Sequence, residues 1–154
     1  MNATMKMVCF TILSTCLISP PTNAADNCTG YDVLVSKSYE KMELGQGYVL
    51  SYFSAYSVVT SDNWPMANGT TGECSGSELA TSDGGSKSRG YCLRKDKDGD
   101  IVSIAWEWPS NAGGTWTQTG GTGKFAHATG SGWAKPFVGD GKMEMVKWGG
   151  NCAK

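Results

Sequence analysis

Between Thr115 and Trp133 the chain reads TWTQTGGTGKFAHATGSGW, and this stretch limits the possible folds more than any other. Trp116 stands between Thr115 and Thr117 in the alternation of a half-buried strand. The alternation breaks at Gly120-Gly121-Thr122-Gly123, restarts through Phe125 and runs out through Gly130-Ser131-Gly132-Trp133. Glycines in so short a break open left-handed backbone angles that other residues reach only at a cost, so the segment predicts a tight strand reversal.

The rest of the chain repeats this pattern. Tyr31–Val35 reads as a strand, Gly45-Gln46-Gly47 as a turn, and Tyr48–Thr60 as the longest strand, with a bulge near Ser54-Ala55 to re-phase its apolar positions. Ser36–Leu44 is mixed. After a loop over Ser61–Gly72, strands follow at Glu73–Leu79 and Arg89–Lys95, around a polar glycine loop. Ile101–Trp108, the hairpin of Gly114–Pro136 and Lys142–Trp148 complete about eight short strands, with no amphipathic helix among them. The chain has 21 glycines, six tryptophans and six tyrosines, which suits many turns between strands that bury aromatic side chains. An all-β sandwich or barrel in one domain follows.

The motif Gly120-Gly121-Thr122-Gly123-Lys124-Phe125, followed by Gly130, resembles the turn and strand of the allene oxide cyclase-like and dirigent-like β-barrels. It is most similar to small secreted bacterial proteins of that kind. The resemblance runs over Cys74–Trp148 and implies a single antiparallel barrel of about eight strands rather than a sandwich. The plant cyclases of this kind work through a cavity lined by particular polar residues, none of which carries over to a position here.

Residues 1–24 have the order of a secretory signal peptide: Lys6, an apolar run over Met7–Ile18, then Pro20-Pro21 and small residues up to Ala24. The apolar run is too short to span a bilayer, which takes about 20 residues. A lipoprotein reading, with Cys16 lipidated after Leu13-Ser14-Thr15, competes weakly because Thr15 fits poorly there. The expected arrangement is a signal peptide at 1–24 and a β-barrel domain at 25–154, secreted or periplasmic. Cys9 and Cys16 leave with the signal. Cys28, Cys74, Cys92 and Cys152 remain, an even number that reads as two disulfides. Cys74 and Cys92 belong to neighbouring strands of one hairpin and favour each other, which leaves Cys28 with Cys152 at the ends of the domain.

The formal charge is −1, and losing Lys6 leaves 12 basic residues of the 13 against 14 acidic ones, a balance of −2. No basic stripe exists, which argues against nucleic acid as a partner. Nothing reads as an integral membrane segment, and oligomeric state is not legible.

Few chemical motifs survive scrutiny. Asp96, Asp98 and Asp100 carry the carboxylate spacing of a calcium loop, but Ile101 occupies the position that needs glycine. Glu107, in the twelfth position, lies about 23 Å along an extended strand at roughly 3.3 Å per residue. A polar hairpin turn accounts for the aspartates better than a weak calcium site. The glycines before Lys124 resemble a phosphate loop, yet Phe125 stands where Ser or Thr is required and no helix follows. His127 is the only histidine and sits between small residues just after a turn, which suits an exposed side chain better than a general base. No C-x-x-C and no G-x-S-x-G occurs, so no cofactor, redox motif or serine nucleophile is indicated. Asn27 and Asn68 begin N-x-T acceptor sequences that matter only in a eukaryotic secretory route.

The aromatic residues are the best functional opening. Trp106 and Trp108 share one strand face with Val102 and Ile104, and Trp116, Trp133 and Trp148 lie on later strands. Such side chains fill the interior of a small barrel, or line its mouth for an apolar or sugar-like ligand. Tyr52 and Tyr56 are candidates to add polar tips. The readings carried forward are a ligand-binding or scaffold barrel without a catalytic constellation, a cyclase-like or dirigent-like enzyme acting through its cavity, and an envelope interaction protein.

Overall fold

A computed structural model describes residues 27–154; the segment expected to be a signal peptide, with Cys9 and Cys16, lies outside the described residues. Eight strands make one closed antiparallel barrel in which each strand pairs with its sequence neighbour and the last with the first. They are β1 (Cys28–Gly45), β2 (Tyr48–Ser61), β3 (Thr71–Ala80), β4 (Ser86–Lys95), β5 (Ile101–Ser110), β6 (Gly113–Gly121), β7 (Thr129–Gly139) and β8 (Met143–Ala153). Closure removes the exposed sheet edges that would otherwise invite strand addition.

β1 is far longer than the Tyr31–Val35 expected from sequence. Its first half pairs with β8 from Cys28 to Val35, and its second half continues with β2 alone up to the Gly45/Tyr48 turn. The mixed stretch after Ser36 is therefore strand, and its polarity reflects exposure along the whole of residues 36–45. The bulge predicted near Ser54-Ala55 lies across the ladder instead: the extra residue is Lys37, between the pairs Ser36/Ala55 and Ser38/Ser54. Without a bulge of its own, β2 alternates cleanly. Ser51, Ser57 and Val59 are buried while Tyr52, Tyr56, Val58 and Thr60 are exposed.

The tight reversal expected at Gly120–Gly123 is also corrected. β6 ends at Gly121, and a single 3-10 turn over Gly123–Phe125 precedes β7, which starts at Thr129. Phe125 is no strand residue. It is fully buried and belongs to the core. Gly123 has φ +50°, and a Cβ there would sit 1.9 Å from the Asp100 carboxylate, so both backbone angle and space require glycine.

Both disulfides pair as the hairpin reading favoured. Cys74–Cys92 bridges directly opposed residues of β3 and β4, and Cys28–Cys152 ties β1 to β8. Turns β2–β3, β4–β5 and β6–β7 gather at the barrel end that also holds Cys28 and Cys152. Trp64, Met66 and Ala67 of the β2–β3 loop pack there with Phe125, Trp116 and Trp148 and close that end. Trp116 and Trp148 meet edge to face, with ring centres 5.9 Å apart, and the Trp116 indole donates to Gly149 O at 3.3 Å.

Candidate functional site

Above this closed floor the barrel holds a cavity of about 640 Å³, a size typical of small-molecule sites. The interior is thus packed at one end and open toward the other, so the tryptophans divide between two jobs. Trp116 and Trp148 are core, while Trp106 and Trp108 stand higher and are only partly buried.

The placement of Trp106 follows from glycines on its neighbours. At mid-height Gly76 of β3, Gly90 of β4 and Trp106 of β5 stand in register across the sheet. A Cβ on Gly76 would lie 2.7 Å from the Trp106 ring and one on Gly90 2.5 Å from it. The indole therefore lies over a shelf of bare backbone and reaches Phe53 of β2, with ring centres 5.8 Å apart and planes 28° from parallel. Phe53 and Trp106 make one flat aromatic wall. Trp108 stands one inward position farther up, opposite Ser88, which in turn pairs with Glu78.

Deeper in, one polar cluster interrupts the apolar lining. Asp32, Ser57 and Arg94 are all buried, from β1, β2 and β4. Asp32 Oδ2 and Arg94 Nη2 form an ion pair. Ser57 Oγ donates to Asp32 Oδ1 at 2.7 Å and accepts from Arg94 Nε at 2.7 Å. Arg94 Nη2 also points at Cys74 Sγ, 3.5 Å away. Nη1 makes no hydrogen bond among the described residues, and Arg94 lines the cavity. Asp32, Cys74 and Cys92 lie close enough to suggest metal ligands, but both sulfurs are spent in the disulfide and a carboxylate alone makes no metal site.

The residues singled out from sequence fall into distinct places. Trp106, Trp108 and Trp116 line the cavity. Trp133 is outside it, on the strand face opposite Gly132, with the Lys135 ammonium 5.5 Å from its ring centre. Tyr52 and Tyr56 are corrected to the outer surface, about half exposed, because the clean alternation of β2 turns its small residues inward. Residues that the sequence reading missed are Asp32, Phe53 and Arg94, which line the cavity, and Ser57, buried behind them. Their only signal was alternation in β1, β2 and β4, masked by the tyrosines of the opposite face.

The aspartates of the β4–β5 turn serve the fold. Asp96 Oδ1 accepts from the backbone N–H groups of Asp98 and Asp100, both at 2.9 Å, while its Oδ2 meets the Lys124 ammonium at 2.5 Å. Asp100 Oδ2 accepts from Lys124 N at 3.0 Å, and Asp98 pairs with Lys97. The Lys124 hydrogen bond, aided by those backbone donors, holds the Asp96 carboxyl below the usual carboxylate range. The Gly120–Phe125 motif and the acidic turn thus form one knot that fastens β6–β7 to β4–β5. His127 is exposed. The Asn27 side chain clamps the end of β8, donating to Cys152 O at 3.0 Å and accepting from Cys152 N at 2.7 Å, so its amide nitrogen is already engaged.

No protein-family description matches this chain, and no curated protein matches it by sequence. Solved structures do share its fold. The pterocarpan synthase dirigent protein GePTS1 is 16% identical with a TM-score of 0.50, over 88% of this chain and 96% of that one. A second pterocarpan synthase dirigent protein, PsPTS1, is 14% identical at the same TM-score, over 80% and 91%. An enzyme from Penicillium herquei is 12% identical with a TM-score of 0.59, over 86% and 98%. At these identities the likeness is one of fold: an eight-stranded dirigent-like barrel.

Proposed function

We propose that this is an exported barrel that holds a flat, largely apolar organic molecule in its cavity. The observation that carries the proposal is the Phe53–Trp106 wall above a guanidinium nitrogen that makes no hydrogen bond among the described residues. The wall offers stacking for a planar ring system, and Arg94 Nη1 offers a donor to one oxygen. Asp32 already neutralises Arg94, so a carboxylate guest would add a second anion to a poorly solvated site. A neutral acceptor such as a carbonyl suits the pair better. Two disulfides are in keeping with an oxidising compartment, which supports export.

The test is native mass spectrometry of the protein taken from its own secretory compartment, beside its denatured mass. The expected result is an extra mass that leaves on denaturation, and Trp106→Ala should weaken its retention about tenfold through the lost stacking. A bare wild-type protein, with no quenching of tryptophan fluorescence by planar carbonyl compounds, would overturn the proposal.

A second reading has its own support. A buried ion pair beside a cavity offers fixed charge to a reactive intermediate, and structural neighbours include a pterocarpan synthase dirigent protein and an enzyme from Penicillium herquei. Incubation of the released molecule with fresh protein separates the two: a changed mass in the products favours the enzyme, an unchanged one the binder.

A further inference from the structure

The Cys74–Cys92 disulfide is part of the cavity wall, and both residues belong to the cavity lining. They sit between the Arg94 layer below and the Gly76/Gly90 layer above. Their surroundings are unequal. Cys74 Sγ lies 3.5 Å from Arg94 Nη2, and no cation is placed against Cys92 among the described residues. The other bridge differs again: Cys28 is fully buried, and the chain on either side of Cys152 is held by Asn27 and the β7–β8 ladder.

From this asymmetry we infer that Cys74–Cys92 is a thiol-reactive site inside the cavity, where a small organic thiol entering by the mouth is captured as a mixed disulfide on Cys92. The thiol first gives its proton to water. Its thiolate attacks Cys92 Sγ, the bond between Cys92 and Cys74 breaks, and a bond between the entering sulfur and Cys92 forms. The electron pair leaves on Cys74 Sγ as a thiolate beside the guanidinium. The entering thiol is oxidised to the disulfide level and Cys74 is reduced, so no further oxidant or reductant is needed. Exchange runs fastest when the leaving sulfur is the better-stabilised thiolate. Asp32 already shares Arg94, but among the described residues only Cys74 has that guanidinium 3.5 Å away, so a thiolate on Cys74 is better stabilised than one on Cys92. Arg94 thereby sets which sulfur leaves. The inference rests on the cavity being open and does not require a retained ligand.

The experiment is mild treatment of the folded, oxidised protein with 2-mercaptoethanol, acid quenching and peptide mapping by mass spectrometry. The expected product carries the adduct on Cys92 and a free Cys74, with Cys28–Cys152 intact. Asp32→Asn, which leaves Arg94 without its competing carboxylate, should form the adduct about tenfold faster. An adduct mainly on Cys74, opening of Cys28–Cys152 at an equal or greater rate, or no adduct until the protein is denatured would each overturn the inference. An unchanged or slower rate in Asp32→Asn would also overturn it. These readings come from wild-type protein first, so they stand if the variant does not fold. A bare native spectrum and no fluorescence quenching, together with a Cys92 adduct, would remove the ligand proposal and leave this one standing.

Discussion

Arg94 shows how much one buried side chain commits here. It shares Ser57 and Asp32 on one side and faces Cys74 on another, so its removal strands a carboxylate away from water. Arg94→Met should cost about 3–5 kcal/mol in urea denaturation, whereas Asp32→Leu combined with Arg94→Met should recover most of that loss. If the double variant proves no more stable than the single one, the pair is not the source of the penalty. Gly90 makes the opposite commitment, to emptiness. The β3 backbone and the Trp106 ring together occupy the space a side chain would need, Ser75 O lying 2.1 Å and the ring 2.5 Å from a Cβ built there. Gly90→Val should push both away and cost about 3 kcal/mol, read as a lower thermal midpoint with altered tryptophan fluorescence. Neither role can be read from one strand: Arg94 looks like any charged residue in an alternating run, and the shelf exists only once β3, β4 and β5 lie side by side.

At the level of elements, the knot between the β4–β5 turn and the 3-10 turn is the clearest device. Lys124→Met should return the Asp96 carboxyl toward its ordinary value, followed by carboxyl NMR titration; an unmoved titration would remove Lys124 as the principal cause. Because the folded-state value is depressed, this carboxylate contributes stability above its unfolded pKa, near 3.9, and loses that contribution as pH falls through the folded value. The wild type should therefore lose more stability than Lys124→Met on acidification through that range. The sequence displayed both halves of the knot as separate curiosities, a calcium-like triplet and a phosphate-like glycine run, and their spacing could not reveal that they answer each other. Strand count, hairpin pairing and the disulfides were legible because alternation and turn residues are local signals. The length of β1, the position of its bulge and the inward face of β2 were not, since each depends on which neighbouring strand is present. Phe125 was misplaced for a related reason: one aromatic residue after a glycine turn looks the same whether it begins a strand or plugs the barrel.

For the whole molecule, closure rests on the seam between first and last strands. Cys28–Cys152 spans a sequence separation of 124 residues against 18 for the other bridge, so in the chain-entropy account it restrains the unfolded chain more. Replacing both of its cysteines with serine should lower unfolding free energy by about 4–5 kcal/mol, against about 3 for Cys74 and Cys92; equal losses would point to native-state effects instead. The floor of Trp64, Phe125, Trp116 and Trp148 has a kinetic corollary. A vessel closed at one end obliges any guest to retrace its path, so arrival and escape would cross the same barrier. Substitutions at Trp108, one inward position above Trp106, should change both rates by a similar factor and leave occupancy at equilibrium nearly constant, whereas changes at Trp106 or Arg94 should act on escape alone. The barrel would then have two settings, how fast it exchanges a guest at fixed preference and how strongly it prefers one, written on different layers of the same wall.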